Sequence, residues 1–240
     1  MAKRNLLLLS SSKLHGHNFL EYAENEICGL LTELRIENIL FIPYALKNHD
    51  EYFQTVEVPF KKWGFQISSI HTQNPIDAVD QAQAFFVGGG NTFRLLKTLY
   101  DLDLVKRIKK RVLENAVPYI GASAGSNIAT VSIHTTNDMP IVYPPTFEAL
   151  GLVPFNINPH YLDADPNSTF QGETREQRIK QYHEEKHSKT VLGIREGCIL
   201  SIRDTILEVK GLAGATLFQK EKDPVQIKVG TYLNDLFQQD

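Results

Sequence analysis

Short apolar runs alternate with amphipathic stretches along the first half of this chain, and that rhythm leaves few folds open. Residues 5–9 form a leucine-rich run, after which Phe19, Ala23, Ile27, Leu30, Leu31 and Leu34 recur at the spacing of one helix face. Residues 39–44 read as a second strand, 52–62 as a helix and 65–70 as a third strand. Residues 84–87 read as a short buried strand ending in three glycines. Helical stretches follow at 92–99 and 104–114, the latter with Leu104, Ile108 and Val112 on one face. The next strand, 117–120, is interrupted by Gly121. Such alternation predicts an α/β fold with a mostly parallel central sheet flanked by helices, because parallel neighbours need crossovers that pack back onto the sheet. The last third changes character. Residues 173–186 read as a highly charged helix, and 191–194, 198–202, 206–209, 215–218 and 225–229 as short strands with tight turns. These are expected to be antiparallel additions at one edge of the sheet.

The 240 residues fit one domain spanning 1–240. A chain of this length buries roughly 70–75% of its unfolded surface and needs neither disulfide nor metal to fold. Acidic residues number 28 against 25 basic ones, for a net charge of −3, and no long basic stretch is present. That balance argues against nucleic acid as a partner. Cys28 and Cys198 have apolar neighbours and read as small core residues rather than as a disulfide pair. The run of four leucines at Leu6–Leu9 is shorter than the roughly 7–15 apolar residues of a secretory signal. No stretch is long enough to span a bilayer. A cytoplasmic location without membrane contact is expected, and the sequon Asn167-Ser168-Thr169 is then a chance match.

Gly121-Ala122-Ser123-Ala124-Gly125 has the G-x-S-x-G pattern of a nucleophile elbow. A sharp turn from strand to helix strains the backbone at the serine and lifts its hydroxyl clear of the sheet. Small neighbours are required because backbones approach closely there. A small-residue packing turn would have the same five residues. The position after a buried strand and before a helix-compatible segment favours the elbow, with Ser123 as nucleophile. The helix start also directs N–H groups at developing negative charge. Gly88-Gly89-Gly90 supplies a second feature, since glycines free N–H groups and admit a substrate to the backbone. This loop fits neither G-x-G-x-x-G nor a P-loop. An oxyanion hole is expected from the N–H of Ala124 and that of Gly89.

A serine nucleophile needs a base. Of eight histidines, His160 stands out, following a strand-like apolar segment and Pro159. Asp138 and Glu196 both sit in turn-like contexts near strand ends and are the candidates to orient its ring. Either carboxylate would serve equally as a turn cap. Asp163 and Asp165 are further options. His183-Glu-Glu-Lys-His187 matches the H-E-x-x-H helix of zinc peptidases. Its surroundings are almost wholly charged and no third ligand is evident, so no metal is expected there.

Five segments together resemble the peptidase E family of α-aspartyl dipeptidases. They are Phe86-Val-Gly-Gly-Gly-Asn-Thr, Gly121-Ala-Ser-Ala-Gly-Ser-Asn, Thr136-Asn-Asp-Met-Pro, Asn158-Pro-His-Tyr and Gly172-Glu-Thr-Arg-Glu-Gln-Arg. In order and over most of the chain, they are far more specific than any one alone. The resemblance implies a class I glutamine amidotransferase-like, flavodoxin-like fold, with Ser123 where those enzymes carry cysteine. It implies Ser123 as nucleophile, His160 as base, and either Asp138 or Glu196 as the third member. It further implies cleavage of Asp-Xaa dipeptides with a free amino terminus, and no metal or organic cofactor. Arg175, with Arg178 on the same helix face, matches the expected clamp for the substrate carboxylate, a group that suits arginine's planar fork. Asn91 is expected to contact substrate too. The bland reading of that helix is a solvated run of alternating charge. The same constellation also serves esterases and cyanophycinase-like β-aspartyl hydrolases, and an idle scaffold would bind aspartyl peptides without cutting them. A monomer and a homodimer are both compatible with the sequence.

Overall fold

The computed structural model describes residues 3–169 and 171–238. Five parallel strands build most of a seven-stranded sheet: β1 (Asn5–Leu9), β2 (Asn38–Ile42), β3 (Gln66–Ser69), β4 (Phe85–Val87) and β5 (Tyr119–Ala122). Two more strands, β8 (Cys198–Arg203) and β9 (Ile206–Gly211), extend it antiparallel past β1, giving the order β3-β2-β4-β5-β1-β8-β9. β1 is therefore an interior strand with both faces covered, which is why it is apolar at successive positions rather than alternating. Leu6 and Leu8 enter the core on one face, and Leu7 and Leu9 enter the core on the other.

The helices divide between those faces. α1 (Glu24–Glu33) and α2 (His49–Lys62) bury Ile27, Leu30, Leu31, Val56 and Phe60 with Leu7 and Leu9. α3 (Pro75–Gln81), α4 (Thr92–Asp101), α5 (Val105–Leu113) and α6 (Ala124–Ile128) pack with Leu6 and Leu8. Side-chain caps set several boundaries. Asn48 accepts a hydrogen bond from Glu51 N and starts α2 three residues before the apolar pattern does. Asn74, with Pro75 behind it, starts the short α3.

The expectation that every late strand adds to one edge is corrected. β6 (Asn156–Pro159), β7 (Val191–Ile194), β10 (Ala215–Phe218) and β11 (Val225–Ile227) form a second sheet, ordered β11-β10-β7-β6. Within it β6 and β7 run parallel. Leu192 and Ile194 of β7 pack with Ile157 of β6 and Ala215 of β10 in the same core that takes Leu6 and Leu8 of β1. α7 (Arg175–Glu184) opens with a Thr174–Gln177 capping box. Because it stops at Glu184, His187 lies beyond the helix, and buried His183 donates from Nε2 to Lys189 O at 3.1 Å. The H-E-x-x-H pattern therefore does not put two histidines on one helical face. Among the described residues, no helix is long and apolar enough to cross a membrane. Cys198 is buried and Cys28 half-buried, and neither forms a disulfide.

Candidate active site

The turn after β5 is strained at one residue. Ser123 adopts φ 52° and ψ −107°, a conformation that a side chain rarely takes, and α6 begins at the next residue. The surrounding contacts explain how the strain persists. Ser123 N–H donates to Leu9 O at 3.0 Å, and Asn127 N–H returns to Ser123 O at 2.9 Å. The buried Ser126 hydroxyl lies 2.7 Å from Leu9 O and 2.9 Å from Gly121 O, and Tyr119 O–H donates to Gly125 O at 2.6 Å. A Cβ on Gly121 would come within 2.6 Å of Gly125 O, and one on Gly125 would overlap Val87 O. Both glycines are thus required by close approach of backbones.

His160 follows β6 with φ 53°, and Glu196 follows β7. The parallel register pairs Pro159 with Ile194, so the two residues emerge side by side from one end of the second sheet. His160 Nε2 lies 2.9 Å from Ser123 Oγ, and His160 Nδ1 lies 2.8 Å from Glu196 Oε1. Buried Ser10, at the end of β1, holds the histidine from behind. Its Oγ accepts from His160 N–H at 2.9 Å and donates to Ile194 O at 2.8 Å.

Asp138 is not brought to the histidine. Both ring nitrogens of His160 are already engaged, and Asp138 Oδ2 instead accepts the Thr92 N–H at 2.7 Å, at the start of α4. Asp163 grips Arg195 with two oxygens at 2.6 Å each, and Asp165 Oδ1 accepts from Asn167 N–H in a turn. The Arg195 hydrogen bonds hold the Asp163 carboxyl below the usual range. Arg195 also donates to Thr216 and Gln226, tying the segment after His160 to β7 and its neighbours.

Gly89 packs against Ser123, its Cβ position being 3.2 Å from Ser123 Cβ and 3.8 Å from Ser123 Oγ. Ala124 opens α6, so its N–H has no intrahelical acceptor. Asn91 caps α4, accepting from Arg94 N–H at 3.0 Å and donating to Met139 O at 2.9 Å.

Ser123, His160, Glu196, Gly89 and Gly90 line one cavity of about 520 Å³. Lys13 and Lys47 are the cations on its wall, and no local sequence signal marks them. Arg175 and Arg178 line a different cavity, which begins at Leu162, two residues past His160. Arg178 lies 3.8 Å from Glu173. Partial burial, and then the neighbouring Arg178 charge, disfavour the Arg175 cation. Among the described residues, the Arg175 guanidinium has no ion pair or hydrogen bond.

Comparison with known proteins places this chain in a family. A curated protein of Drosophila melanogaster named "Probable alpha-aspartyl dipeptidase" is 49% identical over 219 residues, covering 91% of each chain. A protein of Streptomyces coelicolor named "Peptidase E" is 46% identical over 233 residues, covering 97% of this chain and 94% of its own. The crystal structure of a peptidase from an acI-B1 Actinobacterium superposes with a TM-score of 0.71 at 19% identity, covering 97% of each chain, and so shares the fold. Residues 6–210 match the model of one family over a span that includes the strained serine, the histidine and the glutamate: the chain belongs to peptidase family S51.

Proposed function

We propose that this chain is a serine-type dipeptidase that removes N-terminal aspartate from Asp-Xaa dipeptides, and that Ser123, His160 and Glu196 carry the chemistry. The observation behind the reading is the continuous chain from Glu196 Oε1 through the His160 ring to Ser123 Oγ, with links of 2.8 and 2.9 Å, in the wall of one cavity. The substrate class comes from the names of the Drosophila and Streptomyces relatives.

Glu196 accepts the Nδ1 proton of His160, which leaves the Nε2 lone pair facing the serine hydroxyl. Ser123 Oγ attacks the carbonyl carbon of the substrate aspartate as Nε2 takes its proton. The oxyanion forms beside the Ala124 N–H and the Gly89 turn. Collapse breaks the C–N bond, and the imidazolium passes its proton to the leaving amine. Water then attacks the aspartyl ester with the same base and releases aspartate and free Ser123.

The substrate's side-chain carboxylate needs a cation. We assign it to Arg175, on the match to the family segment and on its unpaired, partly desolvated guanidinium. Position favours a second reading, in which Lys13 and Lys47 take the carboxylate, because they line the Ser123 cavity itself. The two unpaired cysteines suit a reducing compartment, and we assign the protein to the cytoplasm on that basis.

The test is hydrolysis of α-Asp-Leu beside Glu-Leu, Asn-Leu and β-Asp-Leu, with chelator present. Cleavage of α-Asp-Leu alone is the expected result. Preference for β-Asp-Leu, or cleavage of none beside rapid cleavage of an ester, overturns the α-aspartyl assignment.

A further inference from the structure

The cavity on Ser123 contains a phenol that no step above uses. Tyr52 of α2 lines it and is only 8% exposed. Its ring packs edge-on against Phe41, with centroids 5.0 Å apart and planes at 85°. The hydroxyl lies over the glycine turn, because a Cβ on Gly88 would overlap its oxygen. The following residue, Gly89, packs against Ser123. Phenol and nucleophile thus stand at successive glycines of one turn. The Gly89 N–H faces the phenol oxygen. Among the described residues, the phenol's own proton has no acceptor. Burial pushes its acidity far outside the working range, so the hydroxyl keeps its proton. A phenol with an unused proton, in the wall of a reaction cavity, calls for a partner on the substrate.

We propose that the Tyr52 hydroxyl is an oxyanion donor, giving its hydrogen bond to the aspartyl carbonyl oxygen as that oxygen turns negative beside Ser123. The Gly89 N–H, which faces the phenol oxygen, orients this donor from behind, and the Ala124 N–H stands at the elbow on the other side of Ser123. The donation is a hydrogen bond only, and the proton stays on tyrosine. The inference rests on the dipeptidase reading above.

Tyr52→Phe keeps the ring against Phe41 and removes only the donor. Its kcat on α-Asp-Leu should fall about 100-fold, the usual loss for one oxyanion donor, with KM within about twofold and an unchanged melting temperature. Affinity for an aspartyl boronic acid, which forms a tetrahedral adduct on the serine, should fall in parallel with kcat. A kcat within about threefold of the parent, or a loss confined to KM, overturns the proposal. Ser123→Ala separates the two layers. If it is dead while Tyr52→Phe is fully active, only the tyrosine assignment fails. If Ser123→Ala still turns over, the serine mechanism beneath it fails.

Discussion

Asp138→Ala and Glu196→Gln, made side by side, have opposite expected signatures. Asp138 Oδ2 accepts the Thr92 N–H at 2.7 Å, on the first residue of α4. Removing such a cap costs about 0.5–2 kcal/mol, and the lost charge at the helix start adds about 0.3–1 kcal/mol. A total of about 1.5 kcal/mol, at roughly 2–4 °C per kcal/mol for a chain of this size, lowers the melting temperature by about 3–6 °C. Activity should fall less than about tenfold, because α4 only follows the glycine turn and touches no reacting atom. Glu196→Gln is nearly isosteric, but its amide favours the tautomer whose Nε2 already carries a proton. A buried triad loses about 10⁴ in kcat that way, and the 48% exposure of Glu196 reduces the expectation to about 10²–10⁴. An exposed pair is worth only about 0–1 kcal/mol, so melting should scarcely move. Initial rates on α-Asp-Leu and thermal melts of both variants read the two effects. A dead Asp138→Ala with parental melting, beside a near-normal Glu196→Gln, would refute the assignment of Glu196.

Gly125→Ala drives a methyl into the Val87 carbonyl, a backbone atom that cannot swing aside, and should cost about 1–3 kcal/mol along with most of the activity. Parental melting and rate would show that the elbow is looser than its contacts indicate. Burial pushes the Cys198 thiol up to about 12, and burial with Glu24 raises that of half-buried Cys28. A disulfide reagent at neutral pH should therefore label Cys28 slowly and Cys198 only on unfolding, and equal native rates would contradict the packing of β8. Arg175→Met should raise KM for α-Asp-Leu about 10–100-fold, the worth of a charge-assisted hydrogen bond, while Lys13→Met with Lys47→Met should change it less than about threefold. The reverse pattern moves carboxylate recognition to the rim lysines.

Local patterns carried much of the architecture. The leucine run of β1 and the helical spacing through Ile27, Leu30 and Leu31 are readable because one strand face or one helix face repeats over several residues. α3 is harder to read, since only Ala78 and Val79 are buried with apolar side chains in its seven residues, although Asn74-Pro75 is a fair start signal. The second sheet is not legible at all. Short strands such as Val191–Ile194 look alike whether they extend one sheet or build another, and only packing decides. The elbow is legible because its strain, its small neighbours and its helix start all lie within residues 119–128. The choice between Asp138 and Glu196 is not, because it depends on β6 running parallel to β7 in one register. Tyr52 is hidden for a related reason: on α2 it reads as one more buried aromatic, and only the glycine turn from β4 shows where its hydroxyl points.

The measurement that bears most directly on the account is the rate of α-Asp-Leu hydrolysis by Ser123→Ala, with its melting temperature taken alongside. The account predicts a loss of about 10⁴-fold or more in kcat, because the attacking oxygen itself is gone, with the fold intact. Turnover within about tenfold of the parent, at unchanged melting temperature, would contradict a covalent route through Ser123.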